Sequence, residues 1–597
     1  MLKAVIAKEF KKALEKLIVQ KQLDSEQMLS LLPKMIVERP KNPAHGDFSC
    51  NIAMVLAKIA QCSPRELAAT LSSFLKDSIF SKIEIAGPGF INLTLKENIM
   101  SFVVSEVTRQ GKDYGTTKLD PSPKALVEFV SANPTGGLHL GHARGAFAGD
   151  ALARMLSAAG YQVTKEYYVN DAGNQVEILG RTIHKRYREL FGESIEIESG
   201  EYPGSYVIDI AKALKERDGN KWLKLSEEQW LQPLVKFGVD YNLEVIKSTL
   251  AKLDIHMNSW FFEHTLHQGS ALDDLIDSYD RRNMIYEANQ AHGTSEKIRR
   301  DESKAAKYSH LQEGGWFLKT SLFGDEEDRI IKRKDGRFVY LTADLAYHHQ
   351  KFVRGYDLIV DVFGGDHAGH IGRIKAGMEA MGHDISRLRF AIVQMVRLLK
   401  DGREVRFSKR AGEIVGIDDL LDSVGADVAR FVFLMRALNS QFDLDLDVVT
   451  RQSQDNPVFY VQYGHARMAT ILKKAHEEKG ISFDASLFDQ QAMKHLSLSE
   501  ERELLLKISE LAHVVHDAAL ALEPHRLIYF CQDLVKSFHS YFTKYRHSEK
   551  IISDDPDKTF ARLSLVSVVK QTIANALQFA GISAPEYMEL TESDSDN

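Results

Sequence analysis

The sequence predicts an α/β protein built on a parallel sheet, with a small α+β unit before it and an all-helical part after it. Three observations carry this. Residues 125–130, Ala-Leu-Val-Glu-Phe-Val, form a short apolar run that ends in a turn-rich stretch, 131–137, and helical spacing follows. Further apolar runs at 161–169, 357–363 and 390–396 alternate with helical segments at 142–159 and 370–381, as in βαβ units whose ligands sit at the strand C-terminal ends. From about Asp418 onward only helical periodicity remains.

Taken in order, residues 1–115 read as the α+β unit. Helical periodicity runs through 4–19, 51–60 and 64–76, with a turn cluster at 42–48. Ile83 to Leu93 reads as two short strands around Gly87-Pro88-Gly89, and Lys112 to Lys124 as a linker. The α/β domain is expected over 116–417, interrupted at about 185–340 by polar helices such as 243–253 and 294–313. Residues 418–451 read as a helical connection and 452–597 as a helical domain, with helices at 459–474, 498–521 and 524–546. The last residues, Glu592 to Asn597, are acidic and small and are expected to be disordered.

Composition narrows the class. A chain of 597 residues with 44 % hydrophobic and 27 % charged residues has the balance of a soluble globular protein. No run approaches the ~18 apolar residues of a membrane span. The lysine-bearing N-terminus also carries Glu9 and Glu15, which favours a folded amphipathic helix over a targeting segment. Cys50, Cys62 and Cys531 form no CxxC pair, which suits a reducing cytoplasm and argues against a cysteine zinc site. A net charge of −7 leaves an RNA partner open, because a local basic patch is enough for phosphate contacts.

The chemistry centres on residues 128–149. A strand, a glycine loop and a helix N-terminus together make an anion site, since free N–H groups and the positive end of the helix point at one place. His139 and His142 stand at the mouth of that helix, placed to donate to phosphate oxygens. The string from Asn133 to His142 resembles the HIGH signature of class I aminoacyl-tRNA synthetases. With Glu128 and Ser131 before it and Ala143-Arg144-Gly145 after it, it most resembles the arginyl-tRNA synthetase version. The resemblance implies a Rossmann-like catalytic domain in which Asn133, Pro134, Thr135, Gly136 and Gly141 hold ATP and His139 and His142 are catalytic. The loop from Gly402 to Gly412 resembles the KMSKS loop, with Ser408 on ATP and Lys409 catalytic. Arg406 and Phe407 replace that loop's first lysine and its methionine. Fixed cations there stabilise charge that builds as diphosphate leaves. Gly365, Asp366 and His367 resemble the adenosine-side segment. His367 and His370 have no third ligand near in sequence, so no protein metal site is expected and Mg2+ is expected only with ATP.

A substrate guanidinium calls for carboxylates in planar, bidentate geometry. Tyr340 to Asp344 resembles the family's YLTxD segment, and the resemblance assigns Glu128, Ser131, Asn133, His142, Tyr340 and Asp344 to the amino acid. So polar a site rejects apolar rivals, which fits the absence of a recognisable editing domain. Tyr167 to Gln175 also matches the family. In the helical part, aromatic and polar residues interleave. There the resemblance implies anticodon binding by Tyr460, Gln462, Tyr463, Arg467, Tyr541 and Tyr545 through stacking on unpaired bases. The HGDF and GPGFIN strings, at 45–48 and 87–92, match the N-terminal extension that contacts the outer corner of tRNA. Ala584 to Met588 matches an APERM-like string, with nine residues beyond it. The implied protein is a monomeric, cytoplasmic arginine–tRNA ligase with L-arginine, ATP and tRNA(Arg) as partners and no membrane. Two alternatives carry less weight: a related HxGH nucleotidyltransferase with another substrate, against which the Glu128/Asn133 and Tyr340/Asp344 sets argue, and a non-catalytic RNA-binding relative, whose usual signs would be a lost histidine or a broken lysine loop, both intact here.

Overall fold

The structure is a computed structural model that describes residues 1–76, 78–289, 314–400, 402–404, 416–451, 456–481 and 492–588. Its centre is a five-stranded sheet. We label its strands β1 (Lys124–Glu128), β2 (Gln162–Val169), β3 (Ser259–Phe262), β4 (Leu358–Gly364) and β5 (Leu388–Val393). They lie in the order β5-β4-β1-β2-β3, and every pairing is parallel. Helices α1 (Leu140–Ala158), α2 (Tyr340–Val353) and α3 (Ala368–Ala380) pack on it. With both faces covered, β1 has no solvated side, and Ala125, Leu126 and Val127 are all fully buried. α1 lies close because Gly149 faces the Phe129 ring; a Cβ there would come within 2.1 Å of that ring.

The register puts three buried carboxylates side by side: Asp361 and Glu166 flank Glu128 across β4, β1 and β2. α2 brings two cations and a tyrosine hydroxyl to them. Lys351 Nζ lies 2.5 Å from Glu128 Oε2 and 2.6 Å from Asp361 Oδ1. Arg354, at the end of α2, donates twice to Glu166 at 2.6 and 2.8 Å, and the Tyr347 hydroxyl donates to the same carboxylate at 2.8 Å. His348 Nε2 meets Asp361 at 3.0 Å.

The N-terminal unit is a four-stranded antiparallel sheet, ordered Val37–Glu38, Phe48–Cys50, Phe90–Leu95 and Phe80–Ala86. Helices Leu2–Lys21 and Pro64–Leu75 bury their apolar faces with it in one core. The expected pair of strands around Gly87 and Gly89 is present. Asp47, in the HGDF string, accepts from Leu95 N at 2.7 Å and from the Arg502 guanidinium at 2.5 and 2.9 Å, so it joins this unit to the helical part.

The chain after Asp418 departs from the all-helical expectation. Phe442–Asp445 is a strand, paired in parallel with Val396–Lys400. Its Phe-Asp-Leu-Asp alternation has the period of a strand, with Leu444 buried. The expected helix at 498–521 is two, Ser499–Ile508 and Leu511–Ala521. Helix Pro556–Phe579 was not anticipated; it is buried nearly all round and so has no amphipathic stripe to read. The helix expected at 243–253 is the end of a longer one, Glu227–Lys252. The helix expected at 294–313 and the acidic tail lie outside the described residues. Among the described residues no helix is long and apolar enough to cross a membrane.

Candidate active site

The loop leaving β1 turns sharply. Val130 (φ +69°) and Ser131 (φ +41°) are consecutive non-glycine residues in the left-handed region. Such conformations cost on the order of 1–3 kcal/mol each and persist only where neighbours over-determine them. Here Ser131 Oγ donates to Glu128 at 2.8 Å and accepts from Tyr168 N at 3.1 Å. The carbonyls that follow are held in turn: Ala132 by the Tyr167 hydroxyl at 2.8 Å, Pro134 by Asn242 at 3.0 Å and Thr135 by the Tyr206 hydroxyl at 2.7 Å. Asn133 donates to Gln175 at 2.7 Å, which brings the Tyr167–Gln175 stretch alongside.

The two histidines form a stacked pair, with ring centroids 3.7 Å apart. His139 caps α1: its Nδ1 accepts from Gly141 N at 3.1 Å, and its own N–H donates to His142 Nδ1 at 3.2 Å. Gly141 makes the cap possible, because a Cβ would sit 2.9 Å from the His139 ring. Burial lowers the pKa of both, that of His142 to about 4 with His139 as a second cause. Both rings are therefore neutral at pH 7. With each Nδ1 accepting, each proton is assigned to Nε2, which leaves two N–H donors at the helix mouth. Gly416 bridges to His139 and Ile417 N donates to Leu138 O at 3.3 Å, so the chain returns beside the pair just after the lysine loop. Ser408 and Lys409 themselves lie outside the described residues.

At the end of β4, Gly365 packs so tightly that a Cβ would come 2.9 Å from Gln394 Oε1. Asp366 and His367 face solvent beside it. Among the described residues no three His, Cys, Asp or Glu side chains are arranged to hold a metal ion.

The acidic end of the cleft differs from the expectation in one respect. The Glu128 carboxylate is already bonded by Ser131 and Lys351, so its charge is compensated. Asp344, one turn into α2, has no cation within ion-pair distance among the described residues. Burial pushes its pKa up to about 7; Glu263 and Glu128 push the same way, and His348 and Lys351 pull against them. Glu263, directly after β3, is buried, and its pKa is raised chiefly by that burial. Asn170, with its amide turned to donate, reaches it at 2.8 Å, and His267 lies at 3.4 Å. Sequence reasoning missed Glu263. The signal available was a lone acid closing the apolar run Trp260-Phe261-Phe262 at a strand's C-terminal end. Tyr340 is exposed at the start of the same helix as Asp344.

The residues expected on RNA divide. Tyr463, Arg467 and Tyr545 line a cavity of about 700 Å³ in the helical part, with the Arg467 guanidinium 4.5 Å over the Phe542 ring. Tyr460 packs edge-on against His539. Gln462 and Tyr541 do not fit the expectation. Gln462 is buried and donates to Asp427 and to Ser583 O, both at 3.1 Å, because it turns about 100° away from Tyr463 on the helix. Tyr541 reaches the cavity wall but is only 1 % exposed, with its hydroxyl bonded to Glu501 at 3.0 Å.

Three family descriptions match the chain: "Arginyl tRNA synthetase N terminal domain" over residues 4–95, "tRNA synthetases class I (R), catalytic domain" over 103–435 and "DALR anticodon binding domain" over 461–588. An arginine–tRNA ligase of Desulfitobacterium hafniense is 40 % identical over 577 residues, 96 % of this chain and 98 % of that protein. One from Magnetococcus marinus is 40 % identical over 559 residues, 92 % of this chain and 94 % of that one. A Campylobacter jejuni structure described as that of an arginyl-tRNA synthetase is 31 % identical at a TM-score of 0.71, covering 83 % of this chain and all of that one. The Thermus thermophilus arginyl-tRNA synthetase, 19 % identical, shares the fold at a TM-score of 0.72 over 98 % of this chain and all of its own.

Proposed function

The chain belongs to the arginyl-tRNA synthetases, and from that premise we infer how its cleft divides the work. It is an arginine–tRNA ligase: it activates L-arginine with ATP to arginyl-adenylate and transfers arginine to the terminal ribose of tRNA. The observation that carries our reading of the site is the pair of acids at the C-terminal edge of the sheet: Asp344, half-buried and without an ion-pair partner among the described residues, and Glu263, buried and met by His267 at 3.4 Å. A substrate guanidinium supplies that partner. Asp344, Glu263 and Tyr340 are our choice for the side chain of arginine. Glu128, Ser131 and Asn133 are our choice for its α-amino end, with Glu128 shared between substrate and Lys351.

In the first step the arginine carboxylate attacks the α-phosphate of ATP in line. The Nε2–H groups of His139 and His142 donate to oxygens on which charge develops, and Lys409 and Ser408 meet the departing diphosphate. Gly136, Gly141 and Gly365 let the backbone approach ATP closely. Mg2+ would be carried by the ATP phosphate oxygens and would offset their charge, while the Nε2–H groups of His139 and His142 would donate to the same oxygens. In the second step a ribose hydroxyl of tRNA attacks the adenylate. The remaining assignments are a tRNA-contacting unit at 1–115, a catalytic domain at 116–417, a connection at 418–451, an anticodon-binding domain at 452–597, and a cytoplasmic monomer.

Calorimetric titration of arginine tests the division. Asp344→Asn or Glu263→Gln removes a charge-assisted bond of about 1.5–3 kcal/mol, roughly 10- to 150-fold in Kd. Lys409→Ala should leave arginine binding unchanged and slow activation. The reverse pattern would mean that the phosphate and guanidinium sides are wrongly assigned.

A further inference from the structure

The opposite edge of the sheet, where the strands begin, carries a second polar pocket. It has a volume of about 410 Å³ and lies where helix Ala271–Arg281 meets the C-terminal ends of α2 and α3. Ser278 and Arg281 come from the first helix, Arg282 from its cap, His349 from α2, and Gly382 and His383 from the turn after α3. No carboxylate is among the described residues that line it.

Cations at helix C-termini ordinarily serve the terminal carbonyls. Here backbone N–H groups take that role. Arg282 N and Met284 N donate to Tyr279 O, Met381 N to Gly377 O and His383 N to Met378 O. The guanidiniums are left to the pocket. Arg281 donates to Ser278 Oγ at 2.9 Å, and among the described residues neither arginine is within ion-pair distance of an acid. Arg282 lies against the backbone of Gly382, where a Cβ would come 2.8 Å from its Nη1 and where φ is +82°. On the far wall His349 Nδ1 and His383 Nε2 share a hydrogen bond of 2.8 Å, and Phe352 stacks on His383 with centroids 4.4 Å apart. The Ser278 hydroxyl is spent on Asp274 O at 2.7 Å, and two guanidiniums facing one hollow that no acid lines among the described residues, beside the imidazole pair, suit a phosphate group.

We propose that this pocket, lined by Arg281, Arg282, Ser278, His349 and His383, is a phosphate-binding site separate from the catalytic cleft. It takes one phosphate group of a small molecule, either free or at the end of a nucleotide. Arg281 and Arg282 grip its oxygens, Ser278 holds Arg281 in place, and the histidine pair closes the wall. The proposal does not depend on how the catalytic cleft is divided.

The test uses the full-length enzyme with its catalytic cleft filled by a non-hydrolysable arginyl-adenylate analogue. Inorganic phosphate, diphosphate and AMP are titrated in separate calorimetric arms, and crystals of the same complex are soaked in tungstate. Binding of at least one phosphate compound is expected, with an anomalous peak between Arg281 and Arg282; the arm that binds tells whether the source is free or nucleotide phosphate. Arg281→Ala/Arg282→Ala should weaken that binding at least tenfold while thermal midpoint and arginine charging stay near wild type. Ser278→Asp, which puts a carboxylate beside Arg281, should do the same without removing either arginine. Loss of all phosphate binding once the cleft is filled would overturn the proposal, and so would undiminished binding in both variants.

Discussion

Asp344 sits where burial disfavours its charge, and this gives arginine binding a pH dependence. Burial pushes its carboxyl up from the ordinary 3.8 to about 7. The guanidinium binds the ionised form, so below pH 7 binding must expel a proton. We expect the Kd for arginine to fall about tenfold per pH unit on approaching 7 from below and to level off above it. The stability sign follows from the same shift. An acid whose folded pKa is raised favours the fold below its unfolded pKa and loses that contribution as pH rises through about 7. Arginine should therefore raise the thermal midpoint more at pH 8 than at pH 6. A flat Kd profile in wild type, or an unchanged slope in Asp344→Asn, would remove Asp344 from the substrate. His139→Ala and His142→Ala act elsewhere. Each deletes one Nε2 donor and should slow adenylate formation by roughly 10²–10³-fold. Rapid-quench measurement with tRNA present reads this, and in His139→Ala an arginine Kd close to wild type separates it from loss of substrate, whereas His142→Ala, at a residue also assigned to the amino acid, can weaken both.

At the scale of elements, α2 both shapes the cleft and holds the sheet. Its start carries Tyr340 and Asp344, and the next turns carry Tyr347, His348 and Lys351 onto the row Asp361–Glu128–Glu166. Lys351→Met would leave Glu128 and Asp361 buried without their shared cation, a loss of about 3–5 kcal/mol where one partner of a buried pair is removed. A fall of several degrees in thermal midpoint with weakened arginine binding is expected, because Glu128 would be freed to move. A midpoint equal to wild type would mean that the row does not need its lysine. This row also marks how far the sequence could be read. The histidine loop was legible because it is a string of adjacent residues with its own backbone signal, whereas Asp344 is reached only through the resemblance of residues 340–344 to the YLTxD segment, and the helix that carries it is not predicted from sequence. Lys351 joins Glu128 from a helix 223 residues along the chain, and Glu263 closes the acidic end through the pairing of β3 with β2, whose partners lie 93 residues apart. Periodicity within a window carries no trace of such pairing. The strand at Phe442–Asp445 does alternate, but over only four residues, and its partner Val396–Lys400 lies before the lysine loop.

At the scale of the whole molecule, one hydrophobic core runs through the N-terminal unit, α1 and the C-terminal helices. Polar bonds follow the same seam: the Tyr114 hydroxyl donates to Ile508 O at 2.7 Å, and Asn575 donates to Gly111 O and Tyr114 O, both at 2.8 Å. Deleting residues from 452 onward would strip this core, so point substitutions are the sound way to test the helical part. Its cavity offers Tyr463, Tyr545 and Arg467 around a half-open hollow, the equipment for an unpaired base and a phosphate. Tyr463→Ala removes a stacking surface of about 1–3 kcal/mol per base, roughly 5- to 150-fold in tRNA affinity. Arg467→Ala should in addition lower the salt dependence of binding by about one unit of slope. The arginine Kd should not change in either. Tyr541→Phe supplies the contrast. Its hydroxyl serves Glu501 inside the fold, so losing it should lower the thermal midpoint and spare tRNA affinity. Filter binding of tRNA across a salt series, beside thermal melts of the three variants, decides the matter. If Tyr541→Phe weakens tRNA as much as Tyr463→Ala does, the division between a stacking wall and a packed interior is wrong, and the RNA meets this domain on another face.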